Sequence, residues 1–402
     1  MNAARTDYLV RCRSVRTRAD CKMQDEQNKS PEIEPEFQLG EGKVSGVISC
    51  FLGILSLLAV FCFWFPEILT NQEINEGYQS QMAILRHLLF WAIVFAFALG
   101  IISVVLSKRK MAGFVGVICA TAATFLGGST VEHNKGDYAN LTIGLDWFVL
   151  ALFVHSFVFV PIERIFPLRR EQRVFRDQWR TDLFYFALST LLVQLIVLFM
   201  TTTAHLLFGW AVIEPFQSAV KQIPVVLQFL IAVFVADLAQ YWVHRAYHEW
   251  KFLWKFHAIH HGATTMDWMA GNRLHIVEIL ITRTSVFATL YVMGFSPDAL
   301  YAYILLISVQ AVVVHANLGI NFGFLRYLIV TPQYHHWHHS DDPEYAFKNY
   351  AVHLPVIDMM FGTFKLPGDK WPETYGVLGD PPPPGFIGQT LYPFQSSRKE
   401  EE

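Results

Sequence analysis

Charge is what this sequence has least of. Only 16% of its 402 residues are Asp, Glu, Lys or Arg, where an ordinary soluble domain carries about a quarter. The formal net charge is −3 and no basic patch is interleaved with aromatic residues, which excludes a nucleic-acid partner. Cysteine is scarce too. The five cysteines (Cys12, Cys21, Cys50, Cys62, Cys119) all precede residue 120 and none has CxxC spacing. Three lie inside apolar runs, where a thiol acts as a small hydrophobe, so neither a disulfide framework nor a cysteine zinc site is indicated. The first 43 residues lack an apolar core of the secretory type. They are polar, with a basic stretch from Arg5 to Arg18, and read as a disordered cytosolic tail.

Long apolar runs are what the chain has in place of charge. Hydrophobic residues make up 53% of it, and the mean hydropathy is +0.32. Gly46–Phe65, Leu88–Leu106, Phe148–Val160, Leu183–Met200 and Val225–Val243 are the clearest runs. Met111–Gly127, Ile276–Phe295 and Ala299–Val314 are weaker ones. A bilayer crossing needs about 20 apolar residues, so an all-α, multi-pass transmembrane bundle is expected. Four regions follow: a tail over 1–43, accessory transmembrane helices over 44–127, a catalytic domain over 144–367 and a proline-led, mobile C-terminal tail over 368–402.

Basic residues orient the bundle. Ser107-Lys108-Arg109-Lys110 and the stretch from Arg164 to Arg180, with six arginines, fall on one side when crossings are counted. By the positive-inside rule that side is the cytosol. If the last two runs form a hairpin, turning at Gly294, Ser296 and Pro297, residues 244–275 and 331–367 join them there as a helical cap.

Histidine carries the chemistry. Of sixteen histidines, twelve lie between 244 and 353. His244 and His248 form a HxxxH at the end of an apolar helix, about 40° apart around its axis, so they share a face. Asp237, about two turns deeper on that face, is expected to receive the far ring N–H of a ligand histidine. His257, His260 and His261 form a HxxHH spanning an arc of about 100°. His335, His338 and His339 repeat that pattern, while His336 turns about 110° away from the centre of their arc. Eight inward histidines are too many for one zinc, which takes three or four ligands, but they suit two metals. His315, ending the next apolar run, is the candidate ninth ligand. His275 is read as either a further ligand or a hydrogen-bonding partner of one, with Glu278 a turn later on the same face. His87, His133, His155 and His205 are read as interface residues, and His353 as a buried structural one.

The order HxxxH, HxxHH, HxxHH resembles the fatty acid hydroxylase and sterol desaturase superfamily. The likeness covers residues 144–367 and extends past the histidines. Glu163-Arg164 with Trp179-Arg180-Thr181-Asp182 resembles the entry segment, and Met266-Asp267-Trp268 with Arg273-Leu274-His275 resembles the bacterial sterol desaturase subgroup. Asn349-Tyr350 and Asp358 through Phe364 resemble the closing signature. Two positions depart from the pattern: His336 stands where arginine is usual, and Ile357 where tryptophan is usual.

The resemblance implies a non-haem di-iron oxygenase with nine ligands: His244, His248, His257, His260, His261, His315, His335, His338 and His339. It further implies O2 as oxidant and electrons from NAD(P)H through a carrier such as cytochrome b5 or ferredoxin. The substrate would be a membrane lipid, and the location a bacterial inner membrane or the endoplasmic reticulum. Hydroxylation is the first expectation; desaturation and cleavage of an alkylglycerol ether are the alternatives. A membrane zinc hydrolase would need a HExxH, and His248-Glu249-Trp250-Lys251-Phe252 lacks the second histidine. A metal transporter would spread its ligands along a pore at mid-membrane depth, whereas these cluster at helix ends.

Overall fold

The computed structural model describes residues 41–70, 76, 79–132 and 142–395. Residues 1–40, His133 and the end of the C-terminal tail lie outside the described residues. The described residues form helices and no strands, apart from the isolated bridges Pro167–Leu318 and Ser340–Tyr375. Among the described residues, seven helices are long and apolar enough to cross a membrane.

The first three are α1 (Lys43–Trp64), α2 (Met82–Leu106) and α3 (Met111–Phe125). Lipid is as apolar as leucine, so helices in it associate through close packing of small residues and interhelical hydrogen bonds. Both devices are present. A Cβ on Gly53 would lie 2.6 Å from the Gly116 carbonyl oxygen, so only glycine permits that approach of α1 to α3. Ser49 Oγ donates to the Ala96 carbonyl of α2 at 2.5 Å.

The other half begins with α4 (Leu145–Ile165), α5 (Trp179–Leu191) and α6 (Val193–Phe208). The expected single span Leu183–Met200 is two helices meeting at Leu192. The Leu191 carbonyl accepts the Gly144 N–H at 3.0 Å, and Thr190 Oγ1 donates back to the Phe186 carbonyl at 2.6 Å. Such back-bonding bends helices. Next come α7 (Val225–Glu249), α8 (Lys251–His261), α9 (Ile276–Met293) and α10 (Pro297–Val313). The turn expected between α9 and α10 is there, with Gly294 at φ 72 and Pro297 opening α10. At 17 residues α10 is about 25 Å long, short of the ~30 Å hydrocarbon thickness. Short helices α11 (Pro332–His338), α12 (Pro355–Phe361) and α13 (Phe386–Leu391) complete the chain.

One cluster of buried side chains joins the halves: Leu55 of α1, Ala151 and Phe159 of α4, Phe186 of α5, Trp268, and Val312 and Ala316 around the end of α10. His155, expected at an interface, sits in mid-α4 with its ring stacked on Trp268 at 6.2 Å. The C-terminal stretch, expected to be mobile, packs back on the core. Gly376 N–H donates to the His339 carbonyl at 3.2 Å, and Tyr375 is buried.

A candidate two-metal centre of nine histidines

Four local features aim the histidines. Trp250, a single extended residue, folds α8 back on α7, bringing His257 and His261 beside His244 and His248. Thr331 caps α11 and Pro332 opens it, placing His335 and His338 on one short helix with His339 at its end. Glu163 of α4 accepts the backbone N–H groups of Trp268 and Asn317 at 2.7 and 2.9 Å, which holds the segment carrying His315. Gly271 lies so close to His315 that a Cβ there would be 2.7 Å from its Nδ1.

The nine histidines converge in two buried groups. His244, His248, His257, His261 and His338 form one; His260, His315, His335 and His339 form the other. Within each group the ring nitrogens available to an ion lie within 4.8 Å of one another. In the first, Nε2 of His257 is 3.0 Å from that of His244 and 3.2 Å from that of His261, which is 3.1 Å from that of His338. In the second, Nε2 of His315 is 3.3 Å from that of His260 and 3.0 Å from that of His335, which is 3.0 Å from that of His339.

The far ring nitrogens explain why these contacts are not ordinary hydrogen bonds. Nδ1 of His244 donates to the Tyr350 carbonyl at 2.7 Å, His248 to Ala346 at 3.1 Å and His338 to Lys348 at 2.8 Å. Nδ1 of His315 donates to the Ala311 carbonyl at 2.7 Å and His260 to Arg273 at 3.3 Å. A carbonyl only accepts, so these Nδ1 atoms carry the proton and a neutral ring then presents a lone pair at Nε2. Lone pair therefore faces lone pair across each group. A proton between them would relieve the repulsion, but burial drives the rings neutral. His315 is pushed down to about 4 by burial, against the opposing hydrogen bond to the Ala311 carbonyl. His257, His260, His261, His335, His338 and His339 lie well below the usual histidine range, by burial first and neighbouring rings second. A metal ion fits what is left. Imidazole nitrogens bind at about 2.0–2.1 Å, so two at right angles on one ion lie about 3 Å apart, which is the spacing found.

The carboxylates divide differently from expectation. Glu278 Oε1 accepts from His257 Nδ1 at 2.6 Å, the arrangement that fixes a ligand ring and raises its basicity. Asp237 is corrected to another task. Its two oxygens accept the backbone N–H groups of Val352, His353 and Leu354 at 2.8, 3.1 and 2.7 Å, so it braces a loop and not a ring. His275 is corrected as well: it caps α9, its Nδ1 accepting from Val277 N–H at 3.1 Å and its Nε2 meeting the Thr390 carbonyl at 3.2 Å. His336 faces away from both groups, toward the Tyr375 hydroxyl at 2.9 Å. His353 is buried against Gln310 at 2.6 Å.

Asp358 was not assigned a role from the sequence. Oδ1 accepts from Tyr350 N–H at 2.9 Å and Thr363 Oγ1 at 2.6 Å. Oδ2 accepts from Ala351 N–H at 2.7 Å and the Tyr334 hydroxyl at 2.8 Å. It thus fixes the turn whose Tyr350 carbonyl holds His244. Beneath the second group, Arg273 pairs with Asp182 at 2.5 Å, and Arg176 pairs with Asp182 at 2.6 Å and Asp267 at 2.7 Å. Arg176, which belongs to the basic loop, is therefore committed internally.

Comparison with known proteins supplies the affiliation of this arrangement. Residues 229–363, which hold all nine histidines, match the fatty acid hydroxylase family. Over those residues the chain is similar to members of the fatty acid hydroxylase and sterol desaturase superfamily. An ornithine lipid hydroxylase of Rhizobium tropici, OlsE, is 28% identical over 181 residues, covering 45% of this chain and 54% of that one. The alkylglycerol monooxygenase of Homo sapiens is 30% identical over 142 residues, 35% of this chain and 31% of that one. Methylsterol monooxygenase 1-2 of Arabidopsis thaliana is 26% identical over 144 residues, 35% and 48% respectively. The chain thus spans about half, or less, of the length of these relatives. No solved structure matches it. In this fatty acid hydroxylase-type domain the histidine groups draw on α7, α8, the end of α10 and α11, four elements spread over nearly a hundred residues.

Proposed function

We propose that the chain is a membrane di-iron oxygenase that hydroxylates a C–H bond of a lipid, with His244, His248, His257, His261 and His338 holding one iron and His260, His315, His335 and His339 the other. The observation that carries this reading is the inward-facing set of Nε2 atoms, with His244, His248, His257, His260, His315 and His338 each held at Nδ1 by a carbonyl or carboxylate and burial keeping His260 and His315 neutral. Imidazole suits several metals; what favours iron is the two-ion, all-nitrogen count together with relatives named as hydroxylases and monooxygenases. The reaction would consume O2, two electrons and two protons, yielding a lipid alcohol and water. When bound, the irons supply the oxidising power for an unactivated C–H bond. The protein's own residues orient the rings, exclude water and hold the site at the end of membrane helices, where an acyl chain or sterol enters with little desolvation.

Residues 144–367 would form the catalytic domain and 44–127 an accessory one. The site would face the cytosol, where an external carrier such as cytochrome b5 or a ferredoxin would pass on electrons from NAD(P)H. The alkylglycerol monooxygenases among the relatives favour a second reading, hydroxylation next to an ether oxygen followed by cleavage. Metal content of the purified protein tests the centre. About two irons per chain, with a marked loss in His260→Ala, is expected; a single zinc, or no metal after anaerobic iron loading, would overturn it. Profiling of extracted lipids then separates a new alcohol from a cleaved ether.

A further inference from the structure

Two accessory helices and α4 flank a half-open cavity that the chemistry above does not use. It lies between α1, α2 and α4, lined by Leu55, Ala59, Leu89, Val149 and Phe153, with Asp146 and Thr70 at its polar end. Asp146 is in the first turn of α4, whereas Glu163, which braces the histidine centre, is near its last. Seventeen residues of helix separate them by about 25 Å, so the cavity belongs to the opposite half of the bundle. All three lining helices are candidate membrane spans.

The occupant follows from size and chemistry. The free space is about 130 Å³, close to the ~150 Å³ of an apolar cavity that stays dry and accepts a six-carbon ring. That suits a stretch of acyl chain. Water is disfavoured by the apolar lining, since a buried water needs two to four polar partners.

We propose that this cavity is a binding site for one acyl chain of a bilayer lipid, threaded between α1, α2 and α4 with its polar end toward Asp146 and Thr70. The chain fills a void that would otherwise weaken the contact of α1–α3 with α4, and it gives residues 44–127 a lipid-binding role separate from the histidine centre. A chain held there would be slow to exchange with detergent, unlike lipid on the outer faces.

The test is native mass spectrometry of the full-length protein, stripped in detergent and then titrated with phosphatidylcholine. Wild type is expected to retain about one lipid saturably. Ala59→Trp on α1 and Ala92→Phe on α2 fill the cavity from opposite walls, and each is expected to cut that retention at least five-fold with unchanged helical content. Two variants are used so that misfolding of one leaves the other informative. Equal retention in wild type and a folded variant, or binding that never saturates, would overturn the proposal. Metal content measured on the same samples is independent of this outcome.

Discussion

Nε2 of His260 and Nε2 of His315 face each other at 3.3 Å while both rings give their Nδ1 proton to a backbone carbonyl. Two neutral imidazoles so tied repel, and a cation between them converts the repulsion into attraction. His315→Ala is therefore expected to lower metal content toward one ion per chain. Anaerobic Fe(II) should raise the melting temperature of the wild type, since a ligand at about 100 times its Kd adds about 2.7 kcal/mol. No thermal shift on iron addition would contradict this account.

Glu278 is the carboxylate that holds His257. Removing such a partner of a metal-bound histidine typically costs 10–100-fold in affinity. Glu278→Ala should show a loss in that range in a chelator competition. Glu278→Gln, which keeps an acceptor oxygen, should recover part of it. Equal affinities in all three proteins would remove Glu278 from the centre.

Asp358 accepts four hydrogen bonds around the Tyr350 turn. Asp358→Asn keeps the shape but forfeits the charge and turns one acceptor into a donor. Hydrogen bonds to a charged group contribute roughly 1.5–3 kcal/mol each, so a destabilisation of about 3 kcal/mol is expected in denaturant titration. The metal bound through His244 should weaken with it, because the Tyr350 carbonyl loses its anchor. Unchanged stability would show the turn to be held elsewhere.

His275 separates a cap from a ligand. Loss of a helix N-cap costs about 1 kcal/mol, so His275→Ala should lower thermal stability modestly and leave metal content as in the wild type. A drop by one metal per chain would restore the ligand reading.

Acid should unfold the metal-free protein early. His315 and His353 are held down to about 4 by burial, so between pH 6.5 and 4 the unfolded chain binds protons that the folded chain does not. Stability then falls as pH falls through that window, by up to about 1.4 kcal/mol per pH unit for each such histidine, and is independent of these rings above about pH 7. Unfolding free energies at pH 7, 6 and 5 check this. A flat profile would mean that the rings are not buried neutral.

The histidine positions were legible because their spacing obeys helix geometry. HxxxH and HxxHH keep their rings within one arc of a helix whatever surrounds them, and apolar length announced most of the membrane helices, though not the break inside Leu183–Met200. Which histidines share a group was not legible. His260 and His261 are neighbours in sequence yet belong to different groups, since adjacent helical residues point about 100° apart and α8 lies between two partners. The roles of Asp237, His275 and Asp358 were equally hidden. Each acts on backbone N–H groups, which every sequence supplies, so residue type and spacing carry no mark of them. The break at Leu192 likewise depends on Gly144, nearly fifty residues away, claiming the Leu191 carbonyl. Local periodicity determined which elements form and which faces carry nitrogen. The tertiary structure alone decided which faces meet, because pairing is set by contacts between residues far apart in the chain.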